Sequence, residues 1–429
     1  MPAPVPVVLI GGGQRGRESF GSYALRRPEE MRIVAIVEPN EARRNQLAEA
    51  HHIPSRHRFL NWEDWLDAPL LSDCAIISTP DNLHARVAVH AMHAGYNVLV
   101  DTPIAQQAVD CLHMTEAAQA TGQRLFVMHG LRYTAFYRLL HDIVASGRLG
   151  QIMSYRQERT LAFWHTAHQF VRTPHPQPMD NYLLLLEGIH DFDLICWLLK
   201  EDIKTVSAMV STRSFSLNSA PIYNIPARCL DNCPIETECP YSSPGIYLEK
   251  RFPGQPKKGY PHTALASGDE SEAALTQALE QGPYGKCVYH KNMEIVDNQN
   301  ILMRSEAGIN ISLAINGHSP QDGRRIEIDG THGSLIAEFI GLESHITLRD
   351  HTNNKENKSN FPSAPYGNGS DHALLGNLVR TLRGETKSLT DSPEIINAHL
   401  LAFAVEEARK SESVVDFTRF KDNLLAETV

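Results

Sequence analysis

Short apolar runs punctuate the first third of the chain, and longer mixed stretches separate them. The runs lie in "VPVVLIGGGQRGRESF", "MRIVAIVEP", "CAIISTP", "YNVLVDTP" and "RLFVMHG", each bounded by Gly, Pro, Asp or Ser. Between them, about 81–94 and 106–121, apolar positions recur at helical spacing. Strands that alternate with helices predict a parallel, doubly wound α/β sheet. From "GQIMSYRQERTLAF" onward the rhythm changes to longer runs of alternating polar and apolar positions. These include "IKTVSAMVSTRSF", "NQNILMRSEAGINISLAING" and "RRIEIDGTHGSLIAEF". They read as one large, open, mostly antiparallel sheet in a second α/β domain. Near the end, about 371–382 and 393–411 have helical periodicity and are expected to pack back between the domains. The polar stretch "RDHTNNKENKSNFPSAPYGNGSD" reads as a loop, because Asn, Ser, Gly and Pro dominate it. The expected division is 1–130 and 131–429, with an insert at about 212–292.

After the first strand, Gly11, Gly13 and Gly16 stand in a G-x-G-x-x-G pattern with Gln14 and Arg15 inside it. Glycines there let the backbone turn sharply and approach a pyrophosphate, which the following helix meets with its N–H groups. The second strand ends in Glu38, where an acid accepts the hydroxyls of an adenosine ribose and repels a 2′-phosphate. The pattern therefore predicts an NAD-binding Rossmann domain. A second feature is "YLLLLEGIHDFDLICWLL", which carries Glu187 and His190 in a run apolar enough to be buried. A buried polar group needs a partner or a ligand. Either the pair stands at the floor of a cleft for chemistry, or Glu187 and Asp191 meet backbone donors at a helix start while His190 satisfies a core carbonyl. A third is "LAFWHTAHQFVR", with Trp164, His165, His168 and Arg172 close together. An aromatic face, imidazoles and a guanidinium suit a sugar.

Composition narrows the partners. The 429 residues are 42% hydrophobic and 21% charged, with a net charge of -10 and a pI near 6.1. A basic stripe of the kind nucleic-acid binders carry is not evident, and no run reaches the roughly 18 apolar residues of a membrane span. The expected location is cytoplasmic. Seven cysteines are an odd number for paired disulfides. Cys229, Cys233, Cys239 and Cys287 lie in the insert.

The segment "STPDNLHARVAVHAMHAGYNVLVDTPIA" resembles the Thr-Pro-x-x-x-His and Glu-Lys-Pro segments of the glucose-fructose oxidoreductase, inositol dehydrogenase and MocA (Gfo/Idh/MocA) family. The resemblance implies a Rossmann domain followed by an open-sheet domain that binds sugars or polyols. It implies that Thr79, Pro80, Asn82 and His84 line the cofactor. Asp101 and Pro103 then stand at the family's Glu and Pro, and Thr102 at its Lys, beside the reacting centre. Arg132 and Tyr133 resemble a segment at the substrate edge. His190 aligns with the catalytic histidine, Leu186 occupies a frequent acid position, and Glu187 replaces a Lys usual in a cysteine-containing subgroup. That subgroup also implies a tetrahedral thiolate site at Cys229, Cys233, Cys239 and Cys287, with structural zinc the leading expectation beside an iron–sulfur cluster or unligated thiols.

The leading expectation is an NAD-dependent oxidoreductase acting on a sugar, polyol or sugar-acid derivative. His190 is the base, with Glu187, His165 and Thr102 as further catalytic candidates; Trp164, His168 and Arg172 are the substrate candidates. The alternative is an NAD-dependent glycoside hydrolase that oxidises transiently, eliminates, adds water and re-reduces. The missing family Lys and the extra carboxylate favour that route. A nucleotide-sensing protein without turnover is the third reading. Expected partners are a small carbohydrate or glycoside and, through an exposed sheet face, further copies of the chain in a homo-oligomer.

Overall fold

A computed structural model describes residues 2–173, 182–252, 255–266, 268–290, 295–341, 343–362, 368–391 and 393–427. Its strands are β1 Val5–Ile10, β2 Met31–Val37, β3 Arg58–Phe59, β4 Cys74–Ile77, β5 Asn97–Val100, β6 Leu125–Val127, β7 Ile152–Ala162, β8 Ile203–Ser211, β9 Asn298–Ser305, β10 Asn310–Ser319, β11 Gly323–Gly330, β12 Gly333–Ile340, β13 Glu343–Asp350, β14 Glu356–Pro362 and β15 Val415–Asp416.

β1 to β6 form a parallel sheet in the order β3-β2-β1-β4-β5-β6. Alternate residues of each strand serve opposite faces. Val8, Ile10, Ala75, Ile77, Val98 and Val100 share one core with the helices Asp81–His93 and Ala108–Thr121. Val7, Leu9, Ile33, Cys74, Ile76 and Leu99 share another. Burial on both faces is why these strands read as unbroken apolar runs. The second core is completed by Leu374, Leu375, Leu378 and Val379 of the helix Asn368–Leu382, which returns from the far end of the chain. The helix Pro393–Ser411 packs on Ile189–Leu199, β8 and Ala108–Thr121, and so bridges the two domains.

The second sheet has the order β14-β13-β12-β11-β7-β10-β9-β8-β15, antiparallel except for the pair β7 and β10. Its covered face carries Tyr155, Leu161, Ile311, Leu313, Ile326 and Ile328. The other face carries a lattice of ion pairs, including Arg156 to Glu327 at 3.0 Å and to Asp329 at 2.8 Å. Cross-strand pairs of opposite charge stabilise such a face by roughly 0.2–1 kcal/mol each.

One expectation is corrected here, and a second is left without support. The polar stretch taken as a loop contains β14, the last two residues of β13 and the start of the helix Asn368–Leu382. Backbone pairing from Glu343↔Pro362 to Arg349↔Glu356 supplies the order, and an edge strand with solvent beside it needs no apolar alternation. Residues 363–367 of that stretch lie outside the described residues. The expectation of structural zinc also lacks support. The four insert cysteines do converge on one small cavity with Arg172 and Glu236. Yet among the described residues no set of three or more His, Cys, Asp or Glu side chains is disposed to hold a metal. The insert packs through apolar groups of its own. Phe215, Ile225, Val288 and Tyr289 close on Ala167 and Val171, while Ile246, Tyr247 and Leu279 close on Ala162 and Trp164. Among the described residues no helix is long and apolar enough to cross a membrane.

Candidate active site

β1 ends at Ile10 and the chain turns through Gly11 to Gly16. Gly11 has φ +100°, and a Cβ on it would meet Ser78 O at 2.1 Å; one on Gly16 would meet Gly11 O at 2.2 Å. The polypeptide itself demands these two glycines. A Cβ on Gly13 would meet nothing within 4 Å, so there the open space is of the kind a pyrophosphate needs. At the end of β2 the buried Glu38 accepts from Gly12 N at 2.6 Å and Asn40 N at 2.8 Å. This fixes its carboxylate beside the turn with lone pairs to spare. Thr79 Oγ1, after β4, is buried without a partner in the chain. The turn, the fixed acid and the orphaned hydroxyl fit a dinucleotide. Replacing Glu38 by Ala is expected to narrow the preference for NAD over NADP by about tenfold or more, the scale of a hydrogen bond to a charged group. Calorimetric titration of both nucleotides checks this, and equal affinities in the parent protein would contradict it.

The neighbouring candidates divide. His84 is a buried brace, its ring nitrogens 2.7 Å from Pro103 O and 2.8 Å from Thr79 O, so it ties the loops after β4 and β5 together. Pro80 precedes the helix Asp81–His93, and Asn82 lines an outer groove with Arg86, His90 and Gln106. Arg15 holds Asp101 at 3.0 and 3.1 Å and Asp371 at 2.6 Å. Burial favours a neutral Asp101, but the Arg15 guanidinium outweighs it and holds the carboxyl below the usual range. Asp101 Oδ1 in turn accepts from Thr102 N at 3.1 Å.

Thr102 is thereby aimed at the second domain, with Oγ1 3.4 Å from His190 Nε2. His190 opens the helix Ile189–Leu199 just after a wide π turn at Leu184–Gly188. Its Nδ1 lies 3.4 Å from His129 Nδ1. Burial pushes His190 below the ordinary imidazole value, with Arg324 adding to the effect and Glu187 opposing it. His129, fully buried behind it, is pushed well below by burial, then by His399 and His190. His399 donates from Nδ1 to Ile395 O at 3.0 Å and accepts from Ile104 N at 3.3 Å.

Among the described residues, the acids of this helix and of the π turn before it do not meet backbone donors. Each meets an arginine instead: Glu187 meets Arg159 at 2.6 Å, Asp191 meets Arg324 at 2.6 Å, and Asp193 meets Arg132 at 2.9 and 2.6 Å. Burial would raise Glu187, but Arg159, then His165 and Arg324, hold it below the usual carboxylate range. His165 lies beside them, its Nδ1 3.0 Å from Asp322 Oδ1. Burial opposes a charged His165; Asp322 outweighs it and raises the imidazole above its usual value.

The remaining candidates face the insert. Trp164 is buried, His168 Nδ1 lies 2.9 Å from Tyr247 OH, and the His168 ring stacks on Tyr284 at 4.9 Å. Arg172 donates to Lys286 O at 2.9 Å, to Tyr241 O at 2.5 Å and to Cys229 Sγ at 3.7 Å. Sequence reasoning passed over Arg159, Arg324, Asp322 and His129. A signal existed for the two arginines: Arg159 shares its strand face with Tyr155 and Leu161, and Arg324 shares its own with Ile326 and Ile328. A charge at an inward position of an alternating strand asks for a buried partner.

Residues 5–129 match the family described as "Oxidoreductase family, NAD-binding Rossmann fold", and residues 137–224 match the "GFO/IDH/MocA C-terminal domain". The chain is 22% identical over 276 residues to the oxidoreductase YteT of Bacillus subtilis (strain 168), covering 64% of this chain and 62% of that protein. It is 32% identical over 218 residues to an inositol 2-dehydrogenase of Salmonella typhimurium, covering 48% and 60%. The matched part thus spans about three-fifths of these relatives. A solved levoglucosan dehydrogenase, in complex with NADH and levoglucosan, superposes with a TM-score of 0.64 at 17% identity, covering 96% of this chain and 99% of that one. At that identity the likeness is one of fold. With its turn, its cleft histidine and both domain matches, the chain belongs to the Gfo/Idh/MocA family of oxidoreductases and carries an NAD-binding Rossmann domain.

Proposed function

We propose that this protein oxidises a hydroxyl of a neutral sugar or polyol, with NAD as the acceptor and His190 as the base. The observation that carries this reading is His190 itself. It is a partly exposed imidazole beside Thr102, depressed by burial so that its neutral form persists, and steadied at Nδ1 by His129. A neutral imidazole within reach of a hydroxyl can take its proton. NAD, when bound, supplies the hydride-accepting ring. Thr102 Oγ1 orients the reacting hydroxyl toward His190 Nε2, and the proton held there returns to solvent through the open side of the cleft. Glu187 and His165 offer acceptor and donor groups to the other hydroxyls.

Charge balance supports a neutral substrate. The four guanidinium groups described around this cleft, on Arg15, Arg132, Arg159 and Arg324, already meet carboxylates. A substrate carboxylate would have to compete with a protein one that is already desolvated. The inositol 2-dehydrogenases among its relatives bear the name of a neutral polyol. The redox-neutral hydrolytic route is less supported, because it needs a carboxylate base. Glu187 is clamped by Arg159 and held below the range where it would accept a proton near neutrality.

A panel of free sugars, polyols, uronates and aryl glycosides tests the reading. Reduced nicotinamide is expected to accumulate with neutral free substrates and not with uronates. Aglycone release without net NADH, or faster turnover of uronates, would overturn it.

A further inference from the structure

The insert reaches the cleft from outside the elements that build it. Arg172 anchors its base by bonding Lys286 O and Tyr241 O, and the backbone bridge Arg228↔Lys286 closes the two ends on each other. From that base the segment 259–263 makes contacts with residues of both domains. Thr263 Oγ1 accepts from Gln14 Nε2 at 3.2 Å, a contact between the insert and the dinucleotide turn across 249 positions of chain. Three residues earlier, Tyr260 lies edge-on to His165 at 6.0 Å between ring centroids and to His168 at 5.0 Å. Its hydroxyl donates to Gln169 Oε1 at 2.7 Å, which fixes the orientation of the ring. Tyr260 keeps part of its surface open.

We propose that residues 259–263 of the insert roof the active-site cleft, Thr263 bearing on the dinucleotide turn and the Tyr260 ring forming an apolar wall for the C–H face of a sugar. The proposal rests on the reading of the cleft given above. It assigns the insert a place in the site, where the sequence offered it only as the carrier of four cysteines. It also relocates the aromatic platform. Trp164, the obvious sugar-stacking residue, is buried under the insert, and Tyr260 is the aromatic residue left partly open beside His165. An aromatic face against sugar C–H groups excludes water while the polar side chains around it fix orientation.

Hydrogen exchange of the whole protein, with and without saturating NAD alone, tests the roof. Peptides of the glycine turn and of 259–266 are expected to slow together, while the insert helix Glu272–Gln281 stays unchanged. Protection of the turn without protection of 259–266 overturns the roof. If NAD leaves the turn itself unprotected, the nucleotide reading fails and the roof with it. The wall is tested with the neutral substrate that reduces NAD fastest in the panel. Tyr260→Ala is expected to raise KM about fivefold to tenfold with kcat within about twofold, and Tyr260→Phe to recover most of that loss. An unchanged KM in Tyr260→Ala, or a Phe variant as impaired as the Ala variant, overturns the wall.

Discussion

Replacing His190 by Ala is expected to lower turnover by at least about 100-fold while NAD affinity stays near that of the parent. The reason is positional. His190 Nε2 faces Thr102 Oγ1 at 3.4 Å, and the glycine turn that would hold NAD belongs to a different domain and shares no hydrogen bond with it. The parent's pH profile follows from the sign of the shift. Burial depresses His190, so kcat/KM is expected to hold its plateau through neutral pH and fall only as pH drops through that depressed value. Protonation then removes the lone pair that accepts the substrate proton. The Ala variant should lack this acid limb. The same depression bears on stability. His129, His190 and His399, the last pushed down to about 3, bind fewer protons folded than unfolded. Their contribution is complete above the ordinary imidazole pKa of about 6.5 and is lost as pH falls through the folded values. Residual activity within about tenfold of the parent would remove His190 from the chemistry.

Replacing Arg132 by Met is expected to destabilise the fold by about 3–5 kcal/mol, the cost of breaking a fully buried ion pair from one side. Arg132 and Asp193 are both almost wholly shielded from solvent and meet through two hydrogen bonds, at 2.9 and 2.6 Å. Arg132 also donates to Leu389 O at 2.7 Å and lies over the Trp197 ring at 5.4 Å. Met fills comparable volume but leaves Asp193 charged, buried and unmatched. The double variant Arg132→Met with Asp193→Leu should recover most of the loss, because apolar replacement of both partners removes the desolvation penalty as well. Equilibrium denaturation measures both. A single variant less than about 1 kcal/mol below the parent would mean that water reaches Asp193.

The nucleotide domain was legible because its signals are local. A strand buried on both faces shows as a continuous apolar run, and the glycines answer to contacts within a few residues or across one adjacent strand end, as Gly16 does to Gly11 O. The alternation of the second sheet was legible for the same reason, since the period of two is a property of each strand alone. β14 was not, because an edge strand of Asn, Lys and Ser takes its order from its neighbour and not from its own pattern.

The site was legible in part. His190, Thr102, Glu187 and His165 were singled out from the chain, and the fold brings them to one cleft. Their chemistry was not settled there. Glu187, an extra acid in the sequence, becomes a paired carboxylate only because Arg159 arrives from β7, 28 positions earlier. Trp164, His168 and Arg172 looked like a sugar platform while their partners in the insert, more than 50 positions away, were unknown. By itself, then, the sequence determined the dinucleotide fold and the second sheet and singled out His190 as the candidate base, because local backbone constraints and a buried polar residue are visible without neighbours. Only the tertiary structure decided which carboxylates are neutralised, which aromatic rings are buried and which insert residue meets the dinucleotide turn, because desolvation and charge pairing depend on groups that chain order keeps apart.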